Sequence, residues 1–273
     1  MHRLKGVFAK FTTMNLNLTG KHALVCGSTQ GIGKAAALEL ALLGADVTLV
    51  ARNEEKLKSA VNDLQGNGRF DYLVADFSSP SQVKEVIENY VAPGNTIHIL
   101  VNNTGGPPAG PIVNAKSQDF VDAFSAHLLC NHILAQAVIP GMMEAKYGRI
   151  INVISTSVKQ PLKGLGVSNT IRAAVGNWAK TLSLEVAPFG ITVNNVLPGA
   201  TATQRLDGII SAKSARTGAS KADLEQEMLH EIPAGRFALP EEVAAAIAFL
   251  AAPAAAYING INVPVDGGRT GNL

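Results

Sequence analysis

Two cysteines in 273 residues are too few for a disulfide framework, and no metal-ligand spacing is visible around them. Cys26 ends an apolar strand-like run and Cys130 lies in a helical pattern. Both are expected to be buried thiols of a reduced compartment. Charge is scarce too. The net charge of +2 is too close to neutral for nucleic acid or an anionic membrane to be the main partner. Long hydrophobic runs are missing: "VAAAIAFLAAPAAAYI" (243–258) is short for a membrane span and broken by Pro253. It reads as a core helix. The basic start "MHRLKGVFAKFTTMNLN" carries neither a long apolar run nor a convincing cleavage site. Residues 1–17 are expected to form a disordered extension, with Met14 near the start of the fold; the other reading is a membrane-surface or targeting helix. These absences lead to a soluble, cytoplasmic protein with a small-molecule substrate, no metal, no nucleic acid and no membrane.

What is present is apolar and regularly spaced. Hydrophobic residues make up 47% and charged residues 16%, enough for a sizeable core in one large domain over 18–273. Short β-rich runs alternate with helical ones. "HALVC" leads to a helix from about Gly31 to Leu43, "DVTLVA" to "EEKLKSAVNDL", and "RFDYLVA" to "PSQVKEVIENY". "IHILVNN" leads through a Pro/Gly-rich loop to a helix around 117–143, and "GRIINVIS" to a long helix over 167–186. "ITVNNVLPG" precedes a polar segment (202–231), a helix from Pro240 and a last run, "INVPVDGG". Most strands are nearly continuous in Val, Ile and Leu, as strands covered on both faces must be. The pattern predicts an α/β fold: a Rossmann-like, doubly wound parallel sheet with helices on both faces. The segment 202–231 is the least regular part and is expected to be a flap over a site.

The first strand ends in "CGSTQGIG", so Gly27, Gly31 and Gly33 follow a strand and open a helix. Glycines there let a pyrophosphate approach the backbone, and the helix N-terminus offers free N–H groups. The end of the second strand indicates which dinucleotide. It reads "LVARN", with Ala51 then Arg52 and no carboxylate for ribose hydroxyls. A guanidinium there suits a 2′-phosphate, so NADP is expected over NAD. Asp76 in "VADF" is placed for the adenine edge, and "VNNTGG" (101–106) adds a small-residue turn at a strand's C-terminal end. In "VSNTIRAAVGNWAKTLSLEV" (167–186), Ser168 and Arg172 stand one turn apart and share a face.

These stretches resemble the short-chain dehydrogenase/reductase family, and its ketoacyl-carrier-protein-reductase-like members in particular. The resemblance runs from about Leu18 to Gly268. It includes the glycine turn, "VNNTG", "GRIINVIS", "ITVNNVLPGATAT", "GRFALPEEVAAAIAFL" and "INGINVPVDGG". It implies a coenzyme site of Gly27, Thr29, Gln30, Gly31, Ile32, Gly33, Arg52, Asp76, Phe77, Asn103, Thr104, Gly105, Pro198, Gly199, Thr201 and Thr203, with Arg172 on the ribose. It also implies a homotetramer.

The family's chemistry rests on an Asn, a Ser and a Tyr-x-x-x-Lys pair. By motif position Ser155 matches the Ser, but His127, Ser168 and Arg172 stand where the Asn, Tyr and Lys would be. This makes the chain a divergent member lacking the Tyr-x-x-x-Lys pair, with Ser155, Ser168, Arg172 and His127 as its catalytic candidates. A serine hydroxyl has no state like a tuned phenolate, and an arginine stays charged and relays no proton. Of the ring side chains near the site, His127 is expected to supply the proton through a water on Ser168, with Lys159 and Lys163 as other candidates. Three readings stay open: an NADP-dependent oxidoreductase with a rearranged acid; an NADP-binding protein without turnover, as a sensor or inert partner subunit; and a different reaction, on a substrate carrying its own acid or on an anion held by Arg172.

Overall fold

The computed structural model describes residues 14–272, so the expected extension lies outside it except at its end. There the Asn15 carbonyl accepts from the Ala254 amide and Leu18 is fully buried. The chain is thus tied to the fold from Asn15 onward.

The order of elements follows the alternation of runs. β1 (His22–Cys26) leads to α1 (Gly31–Leu42), β2 (Asp46–Ala51) to α2 (Glu54–Asn62), and β3 (Phe70–Val74) to α3 (Pro80–Val91). β4 (Ile99–Asn102) leads to α4 (Ser117–Phe124) and α5 (Cys130–Ala145), and β5 (Gly148–Val153) to α6 (Gly166–Val186). β6 (Ile191–Pro198) leads to α7 (Gln204–Thr217), α8 (Lys221–His230) and α9 (Pro240–Ala251), before β7 (Asn262–Val265). All pairings are parallel, in the order β3-β2-β1-β4-β5-β6-β7. The chain starts mid-sheet, winds outward to β3, and returns past β1 to wind the other way. The C-terminal ends of β1 and β4 thus diverge at the reversal and leave a crevice.

Successive strand residues face opposite cores. Ala23 and Val25 of β1 pack with α1, α2 and α9, whereas Leu24 and Cys26 pack with α3, α5 and α6. The alanines of α1 (Ala36, Ala37, Ala41) and α9 (Ala244, Ala248, Ala251) are buried in one core, where their small side chains permit close helix packing. Across the middle of the sheet runs a chain of side-chain amides. Asn102 Nδ2 donates to Asn152 Oδ1 (2.9 Å), Asn152 Nδ2 to Asn195 Oδ1 (2.9 Å) and Asn195 Nδ2 to Asn262 Oδ1 (2.8 Å). These residues are aligned neighbours in β4, β5, β6 and β7.

Two elements differ from the sequence reading. The helix expected over 117–143 is interrupted by a π-helical turn, Ser125–Leu129, between α4 and α5. The polar segment 202–231 is a helical pair, α7 and α8. It is held by Leu206, Ile210 and Leu224 in a small core of their own, and by Ser220 capping α8. Three buried apolar residues suffice to fold a segment whose average composition is polar.

Candidate active site and coenzyme cleft

The C-terminal strand ends open onto a cleft of about 1710 Å³. One end of it is the turn after β1. Gly27 has φ +58°, and a Cβ added there would lie 2.3 Å from the Asn103 carbonyl oxygen. A Cβ on Gly33 would lie 2.3 Å from the Gly27 oxygen. Asn103 pins the turn, its Nδ2 donating to Gly27 O (3.1 Å) and Cys26 O (3.3 Å). Gln30 starts α1 without a side-chain cap, and no acid occupies the first turn. The first amides and the positive end of the helix dipole are therefore uncompensated by protein and suit a diphosphate. Gly27, Thr29, Gln30, Gly31 and Ile32 line the cleft. Gly33 lies just behind the wall, in the first turn of α1, where its lack of a side chain lets the helix pack on the turn.

Arg52 and Asp76 line the cleft beyond β2 and β3. Arg52 has no ion-pair partner among the described residues, as a phosphate ligand would require. The Ser78 amide donates to Asp76 Oδ1 (2.9 Å); that bond, outweighing burial and helped by the Ser78 side chain and Arg52, holds the carboxyl below its usual range. Phe77, Asn103, Thr104, Gly105, Pro198, Gly199, Thr201 and Thr203 complete this half. Thr203 lies over the turn, its Cγ2 3.2 Å from where a Gly31 Cβ would stand.

Ser155, Ser168 and Arg172 also line the cleft. Ser155 follows β5 and accepts from the Ser157 amide (3.1 Å). Ser168 and Arg172 are each 8% exposed on the first turns of α6. Arg172 Nη1 donates to Val153 O (3.0 Å), which anchors the guanidinium against the end of β5. Burial, and then Arg205, bring it down to about 10. No tyrosine is in the cleft wall. Tyr72 bonds Glu54, Tyr90 bonds Thr48, Tyr147 donates to Ala251 O, and Tyr257 is fully exposed.

His127 is placed differently from expectation. It sits in the π-helical turn, 2% exposed, behind the wall, with Nδ1 2.6 Å from Thr104 Oγ1. Burial, then Arg172 and Arg205, hold its pKa down to about 2. The ring is neutral at pH 7 and has no imidazolium proton to give, so its reading as the acid is corrected: it positions Thr104. Lys159 is no candidate either, since it does not line the cleft, whereas Lys163 does.

A pH effect follows from His127. The unfolded ring takes up a proton below about pH 6.5, the folded one not until about 2. Stability from this group is therefore complete above 6.5 and falls as pH drops, by up to about 1.4 kcal/mol per pH unit. Urea midpoints measured from pH 7 to 5 should decline, and His127→Gln should flatten the decline by about one proton's worth. The residual slope would come from His98, lowered to about 4 by burial, Lys21 and His22, and from His22, which burial also lowers.

Sequence reasoning missed Arg205, the cation at the start of α7. Its Nη2 donates to Pro107 O (2.5 Å), and its guanidinium lies so close to Gly106 that a Cβ there would meet it at 3.0–3.2 Å. The signal was its position two residues after Thr203 in "TATQRL".

The crevice at the sheet's reversal, with an uncapped glycine-rich helix start, defines a dinucleotide-binding α/β protein. Residues 27–270 match the family described as enoyl-(acyl carrier protein) reductase. The chain is 34% identical to the 3-oxoacyl-acyl-carrier-protein reductase of Vibrio cholerae over 255 residues, covering 93% of this chain and 98% of that one. It superposes on L-sorbose reductase from Gluconobacter frateurii, solved with NADPH and L-sorbose, with a TM-score of 0.88 and 31% identity, covering 95% of this chain and 100% of that one. An actinorhodin polyketide ketoreductase solved with NADPH gives 0.86 and 29%, covering 92% and 98%. The chain belongs to the short-chain dehydrogenase/reductase family of oxidoreductases. Among the described residues no helix is long and apolar enough to cross a membrane.

Proposed function

We propose that this protein is an NADP-dependent reductase of a small carbonyl compound, working with Ser155, Ser168 and Arg172 and without a phenolic acid. The observation that carries the reading is a cleft with its coenzyme half complete and no tyrosine in its wall. Bound NADPH would supply the hydride. The amides at the start of α1 hold the diphosphate, Arg52 the 2′-phosphate, and Asp76 the adenine edge. Arg172, fixed by Val153 O through one arm, turns its remaining N–H groups to ribose hydroxyls. Ser155 donates to the carbonyl oxygen, and a water held by Ser168 gives that oxygen its proton, the hydroxide left behind being reprotonated from bulk solvent through the open cleft. Relatives solved with NADPH support the choice of coenzyme. Apolar residues exposed on α4, the π-helical turn and α6 (Val121, Phe124, Leu129, Leu184) support a homotetramer.

The test is a fluorescence titration with NADPH, then its absorbance loss with ketones, ketoacyl thioesters and quinones. Tight binding with oxidation by one class is the expected result. Binding with no oxidation across the panel would favour the second reading, a coenzyme-binding subunit without turnover, which the neutral buried state of His127 also suits. Arg52→Gln should weaken NADPH about ten- to a hundred-fold, the worth of one charge-assisted contact. NADH affinity should barely move. Equal losses for both coenzymes would place the phosphate elsewhere.

A further inference from the structure

The substrate half of the cleft has an excess of positive charge that the chain leaves unanswered. Arg172 is 8% exposed, and neither it nor Arg205 has an acidic partner among the described residues. The two guanidinium groups are close enough for Arg205 to push Arg172 down. The carboxylates in the wall are committed: Glu227 pairs with Lys213 (2.7 Å), Glu231 pairs with Arg269, and Asp76 lies at the coenzyme half. Three turns along α7 from Arg205, Arg216 shares its face and reaches the opposite wall, 3.6 Å from where a Gly164 Cβ would stand. Lys163 adjoins that point and has no ion pair of its own. Around these cations the wall is apolar, with Leu162, Leu206, Ile209 and Met228.

Arg172 is a buried cation without a counter-ion, which is costly, and the repulsion of Arg205, whose side chain is open to solvent at the cleft mouth, adds to that cost. The α7 arm of this arrangement is firmly built. Arg205 spans from α7 to the loop after β4, and Gly106 gives it room to lie flat. That fixes one edge of the guanidinium on Pro107 O and leaves the rest of the group open to the cleft.

We infer that the substrate carries an oxyanion, a carboxylate or a phosphate, seated on Arg205 within the field of Arg172. This rests on the reading of the cleft as a carbonyl-reducing site, and it names the class of carbonyl compound. The coenzyme's own phosphates do not fill the role, because their places are the start of α1 and Arg52, in the other half. An oxyanion would neutralise the pair, and the apolar wall would take the carbon skeleton.

Matched pairs of ketones test it: acetoacetate against its ethyl ester, and dihydroxyacetone phosphate against dihydroxyacetone. Each is titrated by calorimetry into the protein with and without NADPH. In at least one pair the charged member should bind ten-fold or more tightly, and the responding pair distinguishes carboxylate from phosphate. Arg205→Gln should bring that pair to near equality with NADPH affinity unchanged, and Arg205→Lys should restore part of the difference. Parity within both pairs would overturn the inference, as would a preference that survives Arg205→Gln or an anion that merely displaces NADPH. Binding of the charged ketone with no NADPH oxidation would leave the inference standing and remove the reductase reading instead.

Discussion

Ser168→Tyr combined with Arg172→Lys should raise NADPH-dependent carbonyl reduction at neutral pH by ~10²–10⁴, the usual worth of a positioned general acid. Ser168 faces the cleft from the first turn of α6, and Arg172 follows one turn later on the same face. A phenol at 168 would reach further into the cleft than a serine hydroxyl. An ammonium at 172 would lower its pKa from about 10 toward neutrality. Arg172 is a poor substitute for that ammonium, because Val153 O holds one of its arms. The two positions are in contact range, so their effects will not add, and the single Ser168→Tyr change should gain much less than the pair. The measurement is the initial rate of NADPH oxidation, with coenzyme affinity determined in parallel. A folded double variant that binds NADPH and gains nothing would show that proton supply does not limit this protein.

Gly33→Ala should cost at least a hundred-fold in NADPH affinity. The new methyl would meet the Gly27 oxygen at 2.3 Å and Asn103 Nδ2 at 2.6 Å. Neither atom yields cheaply: one is backbone in the phosphate turn, and the other is the amide that pins that turn to β4. Whichever shifts, the free amides of α1 lose their aim. Stability should fall too, by about 1–3 kcal/mol, as in other overpacked sites. Gly208→Ala on α7 is the control, since nothing lies within 4 Å of its Cβ. It should leave coenzyme affinity alone and gain up to about 1 kcal/mol of stability from helix propensity.

The sheet was legible because β1 and β4 carry consecutive apolar residues (Ala23 to Cys26, Ile99 to Val101) and β5 and β6 carry such pairs as Ile150–Ile151 and Val196–Leu197, and only a two-sided sheet buries such runs. The coenzyme half was legible because its chemistry is local: glycines, amides and one arginine close in sequence to strand ends. The substrate half was not, because it depends on long-range packing. His127 has the right residue type for a proton donor, but the π-helical turn and the two arginines bury and neutralise it. Arg205 lies in a segment whose polar average concealed a helix anchored by Leu206 and Ile210. No local pattern reveals that a side chain at 205 touches residue 107.

The asparagine chain from Asn102 to Asn262 works as a key as well as a bond series. The two inner amides, Asn152 and Asn195, both give and take along one direction, so displacing any of the four strands by one residue would leave an amide stranded and exchange the side chains between the two cores. Only one alignment of β4 through β7 satisfies it. The loops that bring Asn103 to the turn after β1 and Ser155 to the cleft wall leave that same aligned edge. Their spacing across the cleft is therefore set at the moment the strands mate, before any ligand arrives.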